Sequence, residues 1–129
     1  MKGYFGHIEK ETEENQEYRR VLYTAAHSQL VVMRLGPGEE IGAEVHQVDQ
    51  FFRFETGEGK VVIDENEYIV AAGDGVIVPA GSRHNVINTA KDTPLTLYSI
   101  YSPPQHKDGT IHQTKVDETE EHFDGKTTE

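Results

Sequence analysis

The chain of 129 residues contains no cysteine. That absence excludes disulfide frameworks, cysteine-based zinc sites and thiol nucleophiles. Basic residues are scarce, with 12 Lys and Arg against 23 Asp and Glu and a formal net charge of −11. Neutralising phosphates needs a basic patch, and a field of this sign repels polyanions, so no nucleic-acid partner is expected. No apolar run approaches the length of a membrane span, and the start, Met1-Lys2-Gly3-Tyr4-Phe5, lacks an apolar signal core. The expectation is a soluble, cytoplasmic protein with no membrane partner.

At 14.5 kDa the chain is expected to form a single domain over residues 1–129, large enough to bury roughly two-thirds of its unfolded surface. The acidic excess is concentrated in two runs, Glu9 to Glu17 and Asp117 to Asp124. Both are read as solvated faces or frayed ends. The middle of the chain is closer to neutral.

The punctuation between these runs is that of an all-β fold, in which short apolar stretches are broken by Gly, Pro, Asp and Asn. The expected strands are Arg20 to Thr24, Gln29 to Leu35, Glu40 to His46, Gln50 to Glu55, Lys60 to Asp64, Glu67 to Val70, Gly75 to Val78, His84 to Asn88 and Leu95 to Tyr101. Turns are expected at Gly36-Pro37-Gly38, Thr56-Gly57-Glu58-Gly59 and Asp64-Glu65-Asn66. So many short strands favour closure into a barrel or a double-sheet jelly roll, which hides their edges. Val116 to Phe123 is read as a short terminal helix or an unordered tail.

Two spaced patterns carry the chemistry: Gly38-x5-Glu44-x-His46-x3-Gln50-x6-Gly57 and Gly73-x5-Pro79-x-Gly81-x2-His84-x3-Asn88. Strand side chains alternate faces, so Glu44 and His46 point one way, and Gln50, Phe52 and Phe54 share a face on the next strand. A carboxylate and two imidazoles in an apolar interior would cost several kcal/mol unless paired or bound to an ion. On Glu44-Val45-His46 alone a satisfied hydrogen-bonded pair is the commoner reading and a metal site the rarer one.

The two patterns resemble the paired motifs of the cupin superfamily, with Glu44 where the first His is usual and Gln50 where the carboxylate is usual. The resemblance implies a cupin jelly-roll barrel, that is, a double-stranded β-helix, with motif 1 over 38–57 and motif 2 over 73–88. An N-terminal strand would precede it and a C-terminal extension over 102–129 would follow. It also implies one divalent metal ion held by Glu44, His46, Gln50 and His84. The ligand charge stays at that of a three-His, one-Glu site because the anion has moved rather than vanished. Mixed N/O ligands suit Fe, Mn, Ni, Co or Zn, and the pattern does not choose among them. Whether Gln50 binds the ion directly or through a water stays open.

The stretch Tyr101-Ser102-Pro103-Pro104-x-His106-x2-Gly109-Thr110-x-His112-x-Thr114-Lys115 resembles the extension of small cupins called mannose-6-phosphate isomerase-like. His106 and His112 are read first as surface or dimer-interface residues on a Pro-rich loop. The functional alternative is that the loop covers the barrel mouth and offers a general acid or base. Glu44, His106 and His112 are therefore the candidate catalytic residues.

Asp49, Arg53 and Glu55 are expected to face away from the ligands, the last two as a solvated or interface pair. Asn88 is read as a hydrogen-bonding residue at a turn or strand end. One of Tyr98 and Ser99 is expected to line the pocket.

The functional readings are a metal-dependent isomerase or epimerase acting on a sugar or other small polar substrate, a dioxygenase acting on a small enolic substrate, and a non-catalytic sugar or small-ligand binding module. A sugar phosphate would need charge from Arg34, Lys60 or Arg83 at the mouth. The family resemblance also implies a homodimer, formed by sheet packing or by exchange of Tyr18 to Thr24.

Overall fold

The computed structural model describes residues 1–129. After a short helix α1 (Ile8–Glu14), the strands are β1 (Arg19–Thr24), β2 (Gln29–Leu35), β3 (Glu44–Val45), β4 (Asp49–Thr56), β5 (Glu58–Ile63), β6 (Asn66–Ala71), β7 (Gly75–Val78), β8 (Arg83–Asn88), β9 (Leu95–Ser102) and β10 (Ile111–His112). Two antiparallel sheets face each other, in the orders β10-β1-β2-β9-β4-β7 and β3-β8-β5-β6. This is the expected jelly-roll barrel.

The alternation of burial follows the pleat. On β4 the inward row is Gln50, Phe52 and Phe54; on β8 it is His84, Val86 and Asn88. Phe52 and Phe54 stack with ring centroids 6.3 Å apart. With Met33, Leu35, Val61, Leu95 and Leu97 they form one continuous core, closed at the end away from the two histidines of the motifs. Asn88 seals that end: its Nδ2 donates to the carbonyls of Leu35, Gly36 and Thr93, and its Oδ1 accepts from Ala90 N–H. That is the strand-end role the sequence suggests.

Gly57 sits at φ +88°, where a Cβ would lie 2.3 Å from the Pro94 carbonyl oxygen. The first motif therefore ends in glycine because backbone crosses backbone there.

Three expectations need correction, and a fourth holds in only one of its alternatives. The run Glu40 to His46 is a strand only at Glu44–Val45, because Gly42 adopts φ +103° and bends the chain. Val116 to Phe123 is not a helix. A single 3-10 turn, Lys115–Asp117, is closed by Thr114 and Asp117 side chains, after which the tail runs extended, with Phe123 N–H bonded to Gln105 O. The first acidic run forms α1, whose glutamates are exposed as expected but whose Thr12 is fully buried. Finally, Glu55 is not solvated: its side chain is 4% exposed, 3.2 Å from Arg53 Nε. An irregularity in the β4–β9 pairing between Phe54 and Thr56 displaces it from the alternation, and α1 packs against this strand.

No helix is long and apolar enough to cross a membrane.

Candidate functional site

At the open end of the barrel the sheet register brings the two motifs together. Glu44 on β3 lies directly opposite His84 on β8, and Gln50 on β4 lies opposite Tyr101 on β9. His46 follows Glu44 on the same side, and its carbonyl accepts Gly81 N–H at 2.8 Å. The turn of the second motif thus pins the end of the first.

Glu44 Oε2 accepts a hydrogen bond from His46 Nε2 at 2.6 Å. Burial pushes the Glu44 pKa up, but the bond to His46 and the charges of His46, Arg19 and His84 outweigh it and hold the carboxyl below its ordinary range. The His46 ring lies 5.1 Å from that of His84 and 5.9 Å from that of Tyr101, centroid to centroid. His84 Nδ1 is 3.0 Å from Ser82 O. A carbonyl only accepts, so Nδ1 carries the proton and Nε2 keeps its lone pair. Burial is the main influence lowering the His84 pKa.

Gln50 is 2% exposed and its Nε2 donates to Ser99 Oγ at 3.3 Å. Ser99, not Tyr98, is the inward member of that pair. Asp49 points away and accepts Ala80 N–H at 2.9 Å, as expected.

The loop after β9 does fold over the mouth. Gln29, buried on β2, clamps it by donating to His106 O at 2.7 Å and accepting His106 N–H at 3.0 Å. The reading of His106 and His112 as surface residues is therefore overturned: they are 8% and 6% exposed. His106 Nε2 meets Tyr101 Oη at 3.2 Å. Burial, helped by the charges of Arg19 and His46, lowers the His106 pKa to about 2, and burial raises that of Tyr101 to about 12. His112 stands apart from this group, its Nδ1 accepting from Arg19 Nη1 at 3.4 Å.

A cavity of about 590 Å³ opens at this end, walled in part by Glu44, His46, His106, Arg19, Glu118 and His122. Arg34, Lys60 and Arg83 take no part in it; the one arginine on its wall is Arg19. Arg19 and Tyr101 were not singled out as site residues from sequence. Both carried a signal, since each shares the inward phase of its strand with apolar residues, Val21 and Leu97.

The donors present suit a divalent cation in chemistry. His46 Nδ1 and Gln50 Oε1 are buried with no partner, and His84 has a spare lone pair. Two imidazoles, a carboxylate and an amide oxygen are ligands that borderline and hard metals accept. The set is not assembled for gripping, however: no three His, Cys, Asp or Glu groups stand close enough to hold an ion together. His46 Nε2 is engaged by Glu44, so Nδ1 is the His46 nitrogen left free for an ion.

Residues 31–101, more than half of the chain, match the Cupin domain family. The chain is 45% identical over 123 residues to the uncharacterized protein YrkC of Bacillus subtilis, covering 90% of this chain and 66% of that protein, so it spans just under two thirds of that relative. The crystal structure of BH2720 from Bacillus halodurans superposes with a TM-score of 0.87 at 41% identity, over 90% of this chain and 92% of that one. A cupin superfamily protein from Desulfitobacterium hafniense shares the fold alone, with a TM-score of 0.62 at 20% identity over 70% and 80% of the two chains. Matched motifs, barrel and relatives lead to one assignment: the chain belongs to the cupin family.

Proposed function

We propose that this cupin binds one divalent metal through Glu44, His46 and His84, with Gln50 as a weaker oxygen donor, and catalyses proton transfer on a small polar substrate, as a sugar isomerase or epimerase does. The observation that carries this is the surplus of lone pairs at the barrel mouth: His46 Nδ1 and Gln50 Oε1 are buried and unpaired. A bound ion would supply Lewis-acid polarisation of a carbonyl or hydroxyl.

The chain's own groups do the rest. Glu44 is held below the ordinary carboxyl range and stays ionised, so its carboxylate can take a proton from a carbon or oxygen of the substrate and return it. His106 stands neutral on the cavity wall, and the buried Tyr101 positions its ring through the contact of Oη with Nε2 at 3.2 Å. Without Arg34, Lys60 or Arg83 on the wall, a mannose 6-phosphate-like substrate has little to hold its phosphate, which favours an unphosphorylated molecule.

The test is metal analysis of protein purified without chelator, where about one equivalent per chain is expected. Glu44→Ala and His84→Ala should each abolish loading while leaving the circular dichroism of the barrel intact. Retention of metal by both variants overturns the ligand assignment. The missing three-ligand cluster favours one second reading, a binding module without turnover, in which the wild-type protein carries no metal.

Association of two copies belongs to the same proposal. What supports it is exposed apolar surface on the edge strands β6 and β7, where Ile69 is 80% and Ile77 66% exposed.

A further inference from the structure

Arg19 is the least expected group in the cavity wall. Its side chain is 3% exposed, and a guanidinium so buried is strongly destabilising unless an anion faces it. The anion present is Glu118, with Oε2 at 2.6 Å from Arg19 Nη1. Nη1 also donates to His112 Nδ1 at 3.4 Å, while Cζ lies 5.2 Å from the centre of the Tyr18 ring.

Two features mark this pair as incomplete. Arg19 Nε is buried and bonds nothing, and neither does the buried Tyr18 hydroxyl. A guanidinium and a carboxylate that are permanent partners tend to meet through two parallel hydrogen bonds. Here only one is made. The second feature is the origin of the carboxylate. Glu118 belongs to no strand; it follows the 3-10 turn on the extended tail, 32% exposed, and Thr119, Glu120, Glu121 and His122 beside it line the same cavity.

We propose that Arg19 is the anchor for a carboxylate on the ligand of this cavity, and that Glu118 holds its place until the ligand displaces it. The inference rests on the reading that the cavity takes a small polar molecule, and it narrows that class to hydroxy acids such as sugar acids. A ligand carboxylate can engage Nη and Nε together, satisfying the donor that Glu118 leaves empty. A phosphate dianion is the poorer fit, because Glu44, Glu118, Glu120 and Glu121 already crowd the wall with negative charge.

The experiment is calorimetric titration of the full chain with D-gluconate, D-glucose and D-glucose 6-phosphate. In the wild type, gluconate should bind more tightly than glucose. Glu118→Gln removes the competing charge and should tighten gluconate by on the order of tenfold, while leaving glucose unchanged. Arg19→Lys keeps the charge but loses the fork, and should weaken gluconate by a similar factor; Glu118→Ala serves as a second, independent release of Arg19.

Equal or weaker gluconate binding in both Glu118 variants overturns the proposal, as does a preference of those variants for glucose 6-phosphate or a failure of either to bind any of the three. Metal content measured on the same samples keeps the two readings apart. A metal-free protein whose Glu118 variants gain gluconate affinity retains the anchor and loses the metal centre. A metal-loaded protein indifferent to Glu118 loses only the anchor.

Discussion

Gln50 shows how much turns on one atom. A carboxylate at this position would add charge to the donor set, whereas the amide leaves Oε1 unpaired among apolar neighbours. Gln50→Glu is expected to destabilise the metal-free protein by about 1–3 kcal/mol and to raise its thermal stabilisation by added metal above that of the wild type, which differential scanning fluorimetry with and without chelator will read. His106 gives a pH dependence. Its folded pKa of about 2 lies far below the ordinary 6.5, so on acidification the unfolded chain takes the proton first. Stability from this group is complete above pH 6.5 and is lost as pH falls from there toward 2, by about 1.4 kcal/mol per pH unit. Urea midpoints between pH 7 and 5 should fall less steeply in His106→Asn than in the wild type. That Glu44 and His46 lie together on one side of the barrel opening was readable because strand alternation and glycine spacing are local. The burial of His106 was not, because it depends on the Gln29 side chain, which sits 77 residues away in the chain.

Among the elements, strands were legible where apolar alternation ran unbroken and illegible where a glycine or a long-range partner intervened. β2 and β7 match their expected bounds because nothing competes with the pleat there. The stretch before His46 has strand-like composition, yet Gly42 takes it out of extended geometry. The tail has helix-forming residues, but an extended chain lets Glu118 reach Arg19, and that ion pair outweighs a weak local preference. The turn between β4 and β5 offers a sharp test. Gly57→Ala would place a methyl 2.3 Å from the Pro94 carbonyl oxygen at φ +88°, so it should cost about 1–3 kcal/mol in denaturant unfolding without changing the metal content.

For the whole molecule, the barrel closes every strand edge except those at the ends of the two sheets. β6 and β7 end their sheets and carry the exposed Tyr68, Ile69 and Ile77. With a net charge of −11, two copies repel at long range and can associate only through a surface poor in charge. Light scattering should give a mass about twice that of one chain, and Ile69→Lys with Ile77→Lys should return it to that of one chain with the metal content unchanged. A single-chain mass for the unaltered protein removes this expectation. The position of β9 between β2 and β4 bears on how the protein is made. β2 can pair with β1 and β4 with β7 beforehand, but the other edge of each waits for residues 95–102, so on the ribosome a nascent chain of up to about ninety residues keeps two strand edges open. Its folding is therefore late and governed by distant pairings, and that interval is when a chaperone has most to offer it.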